Sequence, residues 1–361
     1  MSDWRALALD PPRSFGPPLG RARLRAAPED FQVDERLGFE PSGEGEHLLL
    51  KVRKRGANTA WVARELARVA GVRPHDVGYA GLKDRNAVTT QWFSLPARRG
   101  ASGALSGAGG EGWEVLEAHA HRRKLPRGAL AGNDFRIVLR GFDGDREALE
   151  RRVEMLRQRG APNYFGPQRF GRELSNLAVL RGGPPPRDAR GFVLSAARSL
   201  LFNAVLAERV REGTWNRLLA GERANLDGRN SNFLVESPDT VLEQRAAALD
   251  LHPTGPLWGE GDGGTRGAVA AFEDAIVGRF PALTGMLRDA RLEAARRPLR
   301  MVVQGLALSW SPEGDGRDGP GRDCELRFSL RAGSFATVAL RELIEASSAG
   351  DAATDPEDEN A

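Results

Sequence analysis

The stretch Asp134-Phe135-Arg136-Ile137-Val138-Leu139-Arg140 decides the fold class, because its side chains alternate with the two-residue period of a strand. Phe135, Ile137 and Leu139 share one face, which predicts a half-buried strand. Phe31–Arg36 alternates in the same way, with Phe31 and Val33 on one face. Cys324–Arg331 also alternates without a break. A sheet built from distant parts of the chain is therefore expected.

Further elements follow from the same patterns. Strands are predicted at His47–Arg53 and Thr89–Leu95, with a short one at 77–80. An amphipathic helix should begin near Asn58 or Thr59 and end at Gly71. We expect its inward side chains to be Trp61, Val62, Leu66 and Val69. Residues 1 to 24 should form a loosely structured lead-in, and a last helix should span 336–346.

The middle of the chain has a different character. A helix predicted at 146–159 stops at Gly160, and beyond it helices such as 195–211 alternate with loops rich in Gly, Pro and Asn. We place a domain boundary near residue 158. Strand-like sequence returns at 299–308. Residues 100–112 are predicted to be a flexible connection, and 311–323 a polar insertion.

Composition limits the class of protein. A chain of 361 residues with 40% hydrophobic content can bury a large core and form two or three domains. No window approaches the roughly 18 to 20 apolar residues of a membrane span, and the start lacks a signal peptide, so we expect a cytoplasmic protein. Cys324 is the single cysteine, which excludes intrachain disulfides. The five histidines lack metal-binding spacing, His119 and His121 included, and we expect no metal.

The charge is unevenly distributed. The net charge is +3, but six acids and no bases follow residue 344, so the preceding 344 residues carry +9. That acidic tail should not fold alone. Seven basic residues and one acid lie within Lys51–Arg73, and a second basic cluster spans His119–Arg127. Such clusters attract a polyanion, although solvated faces with incidental charge would look the same.

One loop carries a candidate nucleophile. Within the sequence Val77-Gly78-Tyr79-Ala80-Gly81-Leu82-Lys83-Asp84-Arg85-Asn86-Ala87-Val88-Thr89-Thr90-Gln91-Trp92, residues 81–87 should connect two strands. A carboxylate with an ordinary pKa of about 3.9 is ionised at neutral pH, as a nucleophile must be. Taken alone, Asp84 after a glycine is more often a turn residue.

The same segment resembles the signature of TruD-type tRNA pseudouridine synthases. Further blocks typical of that family follow in its order, from residue 28 to about 343. They are Pro28-Glu29-Asp30-Phe31-Gln32-Val33-Asp34-Glu35, Arg123-Lys124-Leu125 before Gly132-Asn133-Asp134-Phe135, Pro162-Asn163-Tyr164-Phe165-Gly166-Pro167-Gln168-Arg169-Phe170-Gly171, Leu251-His252-Pro253-Thr254-Gly255-Pro256-Leu257-Trp258-Gly259 and Gly333-Ser334-Phe335-Ala336-Thr337.

The resemblance implies an activity and an architecture. Members of the family isomerise uridine to pseudouridine at position 13 of certain tRNAs without cofactor or metal, and Asp84 would be the nucleophile. The implied fold class is α+β, with a catalytic domain around an antiparallel or mixed sheet formed by 1–157 and 306–346. An α/β domain is inserted at 158–305, and the tail spans 347–361. A cleft between the domains would bind tRNA, and we expect a monomer.

The resemblance also suggests roles around Asp84. A base removed from its stack needs a flat partner and hydrogen bonds. Phe31 and Phe335 would lie closest to the base, Asn133 would bind it, and Phe135 is a further aromatic candidate, although each phenylalanine could be ordinary core.

Two cations could serve Asp84, namely Arg25 and Lys83. We favour Arg25 for the ion pair, because adjacent side chains in extended backbone point apart and Lys83 could instead face an RNA phosphate. Residues 163–171 could present Gln168 and Arg169 to RNA or form a tight structural turn.

Two other functions compete with this interpretation. A function as a non-catalytic protein that binds structured RNA would explain the basic clusters, but it assigns no role to Asp84. A glycosidase-like hydrolase also uses a carboxylate at a sugar carbon, but it usually needs a paired acid. The loop shows no second carboxylate beside Asp84.

Overall fold

A computed structural model describes residues 3–97, 105–182, 190–312 and 322–348. Residues 100–104 of the flexible connection predicted at 100–112, residues 313–321 of the polar insertion predicted at 311–323 and the tail from 349 lie outside these residues. The chain divides into two compact units. The sheet unit comprises Leu19–Glu147, Gln304–Gly333 and Ile344–Ala361, and the middle unit comprises Met1–Pro18, Ala148–Val303 and Ser334–Leu343. The predicted domain limits at 157, 305 and 346 stay a prediction.

The strands follow one another along the chain as β1 to β17. They span Gly20–Leu24, Phe31–Leu37, His47–Arg55, Gly78–Tyr79, Val88–Pro96, Gly109–Gly110, Trp113–His121, Leu130–Gly144, Ala161–Pro162, Glu222–Leu226, Asn232–Val235, Leu251–Leu257, Ala295–Pro298, Arg300–Met301, Gln304–Trp310, Arg322–Arg331 and Glu345–Ser348. The predicted strands at 31–36, 47–53, 89–95, 134–140 and 324–331 are all present.

The α-helices are numbered α1 to α8 in the same way. They span Trp4–Leu9, Thr59–Ala70, Arg146–Arg159, Arg190–Arg211, Thr240–Ala247, Gly267–Val277, Pro281–Asp289 and Ala336–Leu340. Short 3₁₀ turns lie at Pro28–Asp30, Pro74–Asp76 and Pro167–Phe170, and a kinked one spans Arg172–Arg181. The molecule is therefore a mixed α+β protein.

The sheet unit is built on one large mixed sheet of eleven strands within the described ranges. Its main path runs β15-β16-β8-β2-β5-β3-β7-β6, with β1 beside β8, β17 beside β1 and β4 beside β5. The pairs β2–β5 and β1–β17 are parallel, and the other pairs are antiparallel. The long strand β8 joins the early strands to those that follow residue 303.

Strand register gathers the candidate site residues on one face of this sheet. Phe31 is opposite Ile137, Val33 is opposite Phe135 and Glu35 is opposite Asn133. Directly opposed residues project to the same face, and alternate residues of a strand share it. Val33 is also opposite Thr89 on β5, and Thr89 is opposite Lys54 on β3. One face of the sheet thus carries Phe31, Glu35, Asn133, Phe135 and Lys54.

Helix α2 covers part of that face. It begins after Asn58 and ends at Gly71, which has the left-handed φ of 64° that favours glycine, as predicted. Val62 and Leu66 are fully buried against β3 and β5 side chains such as Leu50 and Phe93. The prediction that Trp61 and Val69 point inward was wrong. They are 36% and 42% exposed, and the small residues Ala63 and Ala67 occupy the inner face instead.

The middle unit surrounds the long helix α4. Its four-stranded sheet has the order β11-β10-β12-β13, and β9 pairs with β14. Helix α4 is long and apolar enough to cross a membrane by length and composition, contrary to the expectation that no window would qualify. Of that apolar window, 67% is buried inside the protein. Arg209 at its end is buried with Glu222, 3.2 Å away, which is typical of a core helix.

Residues 3–24 and 341–348 are more regular than predicted. Residues 1–24 are not a loose lead-in, because they contain α1 and β1. Helix α1 is held by Asn203, whose side-chain amide donates to the Leu7 carbonyl at 3.1 Å. The predicted last helix at 336–346 ends at Leu340, and β17 follows it. Strand β17 pairs with β1, which satisfies its backbone N–H and C=O groups. A helix prediction from local sequence pattern could not include this long-range pairing.

Candidate active site

A buried lysine holds the loop that carries Asp84 by hydrogen bonds to backbone carbonyl groups. It connects β4 to β5, as predicted. Lys54 is 1% exposed, and its ammonium donates to the carbonyl oxygens of Ala57 at 2.7 Å and of Asp84 at 2.9 Å. The Lys83 carbonyl lies 3.4 Å from the same nitrogen. Asp84 is therefore positioned through its own backbone.

Two buried polar side chains hold the start of this loop. The Lys83 amide donates to the Thr59 hydroxyl oxygen at 3.0 Å, and that hydroxyl donates to the Gln91 side-chain oxygen at 3.0 Å. The Gln91 amide in turn donates to the Gly81 carbonyl. At its other end, the Asn86 amide donates to the Asp84 carboxylate at 3.1 Å. These bonds make the loop a defined turn on a rigid sheet.

Arg25 forms an ion pair with Asp84. Its guanidinium nitrogen lies 2.8 Å from an Asp84 carboxylate oxygen, and the two side chains are 16% and 31% exposed. The guanidinium carbon also lies 4.1 Å from the centre of the Phe31 ring. The backbone of Arg25 has a φ of 58°, a left-handed conformation that is uncommon for residues other than glycine. Arg25 is the cation that the sequence argument favoured for this pair.

Lys83 points elsewhere. Its ammonium lies 2.6 Å from a carboxylate oxygen of Glu35, and the two side chains are 11% and 0% exposed. The other Glu35 oxygen accepts from the Trp92 amide at 2.8 Å. Burial raises the pKa of Glu35, and the Lys83 ammonium opposes that rise. The alternative in which Lys83 faces an RNA phosphate does not match this buried pairing.

Aromatic rings line the sheet beside this ion pair. Phe31 and Phe135 meet edge to face with ring centres 6.3 Å apart, and Phe135 stacks on Phe328 at 5.2 Å. Phe31 is 4% exposed, so it is largely core in this structure. The side-chain oxygen of Asn133 is buried and has no hydrogen-bond partner among the described residues. A buried amide oxygen without a partner is costly, which is typical of an atom that binds a ligand.

Phe335 belongs to the middle unit. It precedes α8, is partly exposed and meets Phe165 with ring centres 6.3 Å apart. The structure thus brings Arg25, Phe31, Phe135 and Asp84 into one chain of contacts, with Asn133 on the same sheet face. The place of Phe335 beside the target base stays a prediction.

The first basic cluster offers little free charge. Of its seven basic residues, five have carboxylate partners, and four of these pairs are Lys51–Glu117, Arg53–Glu114, Arg68–Glu65 and Arg73–Asp76. Arg55 pairs with Glu29, and Lys54 is buried under the Asp84 loop. The prediction that this segment is a basic RNA-binding patch therefore loses most of its support. The count of charges along the sequence did not include carboxylates from neighbouring strands.

Glu35 and Lys54 were missed by sequence reasoning, although a signal was available. Glu35 falls two residues after Val33, on the inward face of β2, and Lys54 falls two residues after Val52 on β3. A charged residue in register with an apolar face is rarely buried unless it is paired. The alternation of inward and outward positions alone would have predicted that both residues are buried and paired.

The arrangement supports acid–base or nucleophilic chemistry by one carboxylate. In the ranges that the structure describes, no group of three or more His, Cys, Asp or Glu residues is placed to hold a metal ion. Asp84 is partly exposed, its backbone is fixed by hydrogen bonds, and the Arg25 guanidinium orients its carboxylate. Such a carboxylate can act as a base or attack an electrophilic carbon.

Comparison with known proteins gives a consistent family assignment. The family model described as tRNA pseudouridine synthase D (TruD) matches residues 17–180 and 186–343. The tRNA pseudouridine synthase D of Methylococcus capsulatus is 46% identical over 350 residues, which cover 93% of this chain and 94% of the relative. The enzyme of that name from Pseudomonas aeruginosa strain PAO1 is 46% identical over 351 residues and 96% of each chain.

A solved structure has the same fold. The crystal structure of a candidate tRNA pseudouridine synthase D from Methanosarcina mazei superposes with a TM-score of 0.71, covering 94% of this chain and 97% of that one at 22% identity. The large mixed sheet is therefore the fold of this group. Together with the family model and the close relatives, these findings mean that the chain belongs to the TruD family of tRNA pseudouridine synthases, which are isomerases.

Proposed function

We propose that this chain converts uridine to pseudouridine at position 13 of tRNA, with Asp84 as the nucleophile and without a cofactor. The observation that carries the proposal is the Asp84 carboxylate, partly exposed and held 2.8 Å from the Arg25 guanidinium on a fixed loop. Family membership supplies the reaction class. The target position and the nucleophile rest on the resemblance of residues 77–92 to the family signature.

The reaction balances without an oxidant or a metal. An Asp84 carboxylate oxygen attacks the uridine, and the bond between ribose C1′ and base N1 breaks. The base turns, its C5 forms the new bond to C1′, and the bond between the Asp84 oxygen and the substrate breaks, which regenerates the free carboxylate. C5 then loses its proton to water, and N1 gains one. Atoms and electrons are conserved, so the product is an isomer of the substrate.

The neighbouring residues suit this chemistry. Arg25 keeps the Asp84 carboxylate oriented while the incoming nucleotide displaces water, because its guanidinium nitrogen lies 2.8 Å from a carboxylate oxygen. Asn133 offers an unpartnered side-chain oxygen that can accept from a base N–H. Phe135 provides apolar surface for the ring, and the nearly buried Phe31 supports Phe135 from the side and lies against the Arg25 guanidinium. Phe335 would complete this set, as the family resemblance implies.

We propose tRNA as the substrate, as the relatives' names suggest, and the cytoplasm as the location. The inserted domain, the tRNA-binding cleft and the monomeric state remain predictions. Raising salt from about 50 to 200 mM should weaken tRNA binding by more than tenfold if several phosphates are contacted.

The test follows release of tritium from uridine C5 in unmodified tRNA. Wild-type protein should release it, and Asp84→Asn should not, because the amide is a poor nucleophile. Asp34→Asn is the matched control, since Asp34 is an exposed acid on β2. Normal release by Asp84→Asn would overturn the nucleophile assignment.

Two further outcomes separate the rival functions. If wild-type protein binds tRNA tightly but releases no tritium, the non-catalytic RNA-binding protein is the better description. Free uracil in the reaction mixture would instead indicate a hydrolase, whereas isomerised RNA without base release excludes it.

A further inference from the structure

An apolar side chain is exposed in the loop of the proposed nucleophile. Leu82 is 61% exposed, although it lies between Gly81 and Lys83, whose backbones are both held. The Gly81 carbonyl accepts from the Gln91 side-chain amide, and the Lys83 amide donates to the Thr59 hydroxyl oxygen at 3.0 Å. Hydrogen bonds on both sides therefore fix the place of Leu82 in the loop.

Leu82 differs from the other large apolar residues that are exposed. Among the residues that the structure describes, the others all lie in helices, and they are Leu9, Trp61, Val69, Phe192 and Val241. Single apolar residues are ordinary on a protein surface, but loops favour polar and turn-forming residues. Loops that a rigid scaffold holds in place often carry binding residues. Leu82 is therefore a candidate contact for the substrate.

Leu82 lies close to the proposed nucleophile. Two residues of chain span at most about 7 Å, so the Cα atoms of Leu82 and Asp84 cannot be farther apart than that. The Asp84 backbone is itself held, because its carbonyl accepts from the buried Lys54 ammonium at 2.9 Å. A nucleotide that the Asp84 carboxylate attacks is thus within reach of Leu82 as well.

We infer that Leu82 is an apolar wedge that enters the RNA stack beside the target uridine, and this inference rests on the proposed function. A base that reacts in an enzyme site has to leave its stack, and unstacking is unfavourable. Apolar side chains, leucine among them, insert between base steps and unstack them. Insertion buries the exposed Leu82 side chain, and this gain offsets the lost stacking. Leu82 is then a positioning residue, while Asp84 carries out the chemistry.

The first measurement follows unstacking directly. 2-Aminopurine fluoresces weakly inside a base stack and strongly outside it. It is placed beside uridine 13, or beside the uridine to which tritium release maps. Wild-type protein should raise the fluorescence on binding, and so should Asp84→Asn, which lacks only the proposed nucleophile. Leu82→Ala should bind the tRNA without that rise, and a full rise with folded Leu82→Ala would overturn the inference.

The second measurement is the single-turnover rate of tritium release. Leu82→Ala should lower it about 10- to 100-fold, the factor that corresponds to the lost burial of most of a leucine side chain. The Kd for tRNA should change little, because phosphate contacts supply most of the affinity. Leu82→Met should keep most of the wild-type rate, since it preserves the apolar volume. Val69→Ala is the matched control, because Val69 is 42% exposed on α2 of the same unit.

A tRNA that is already unstacked distinguishes a wedge from other roles. One nucleotide next to the target uridine, on the 5′ or the 3′ side, is replaced by an abasic residue, so that no stack has to be opened on that side. Wild type and Leu82→Ala should react at nearly the same rate with one of these two tRNAs. If Leu82→Ala remains as slow relative to wild type on both of them, the leucine is not a wedge.

These outcomes separate the wedge from the proposed reaction. If Asp84→Asn releases tritium like wild type while Leu82→Ala loses the fluorescence rise, the wedge stands and the nucleophile is wrong. Wild-type protein that raises the fluorescence but releases no tritium would reject the reaction and keep the wedge. If release depends on Asp84 but Leu82→Ala behaves like wild type, the proposed function stands and the wedge is wrong.

Discussion

The Lys83 ammonium lies 2.6 Å from the Glu35 carboxylate, while the neighbouring Asp84 carboxylate lies 2.8 Å from the Arg25 guanidinium. Two adjacent residues of one loop thus bind different partners, with Lys83 paired to the buried Glu35 and Asp84 paired to Arg25. Lys83 anchors the loop to the buried Glu35 on β2, whereas the Asp84 side chain is 31% exposed to solvent. The Glu35–Lys83 pair therefore supports the loop of the proposed nucleophile and does not face the reacting atoms in that proposal.

Removing Lys83 should destabilise the protein in a pH-dependent way. Lys83→Met leaves the buried Glu35 carboxylate without its cation, which costs about 3–5 kcal/mol of unfolding free energy at neutral pH. Burial already raises the pKa of Glu35, and loss of Lys83 raises it further. The folded state then binds a proton that the unfolded state releases, so stability falls as pH rises above the unfolded value near 4.5.

Urea denaturation at pH 5 and pH 8 measures this effect. The difference between wild type and Lys83→Met should be larger at pH 8 than at pH 5. The double variant Lys83→Met with Glu35→Gln removes the uncompensated charge and should regain part of the loss. A deficit that does not change with pH would mean that Glu35 is not the titrating group.

Lys54→Met should damage the site through the loop backbone. The ammonium donates to three carbonyl oxygens, and buried acceptors left without donors should cost roughly 2–4 kcal/mol of stability. The rate constant kcat for tritium release should fall more than KM changes, because Asp84 loses its fixed position. Lys51→Met is the control, since Lys51 lies on the same strand but is 31% exposed and pairs with Glu117. Equal effects of the two substitutions would contradict a positioning role for Lys54.

Local pattern predicted the strands of the sheet because alternation is a local property. Phe31–Arg36 and Asp134–Arg140 carry their periodicity within a few residues, and both are strands. Residues 1–24 and 341–348 were predicted wrongly, because β1 and β17 are stabilised by pairing with each other across more than 300 residues. Helix α2 was placed correctly, but Trp61 is on its outer side, since the small residues Ala63 and Ala67 allow close approach to the sheet.

The site was predicted in part. Which of its contacts could be predicted, and which could not, has a physical reason. The pairing of Arg25 with Asp84 could be anticipated from the loop acid and a nearby cation. The roles of Thr59, Gln91 and Lys54 could not, because their partners are backbone atoms of a loop that is distant in sequence. Free charge was overestimated for the same reason, as with Lys51, whose partner Glu117 comes from another strand.

The single cysteine should report global unfolding. Cys324 lies on β16 and is fully buried, and burial raises the pKa of its thiol to about 12. Because the thiolate is the reactive form, iodoacetamide at pH 8 should label native protein at least a hundredfold more slowly than protein in urea, an order of magnitude set by burial and the raised pKa. Rapid labelling of the native protein would show that β16 opens locally, contrary to a position next to β8 in the sheet.

Arg25→Gly should lower the activity while leaving the free energy of unfolding almost unchanged. Glycine accepts the left-handed φ of 58° at no steric cost, which offsets the loss of the contacts with Asp84 and Phe31, so the unfolding free energy should change by less than about 1 kcal/mol. Without the guanidinium, kcat for tritium release should fall roughly 10- to 100-fold, the range expected for one charge-assisted hydrogen bond. Arg21→Ala on β1, the strand that precedes Arg25, should keep full activity, because the Arg21 side chain is 79% exposed and pairs with Glu345. If Arg25→Gly reacts at the wild-type rate, the ion pair has no part in the reaction, and Asp84 needs no cation to act.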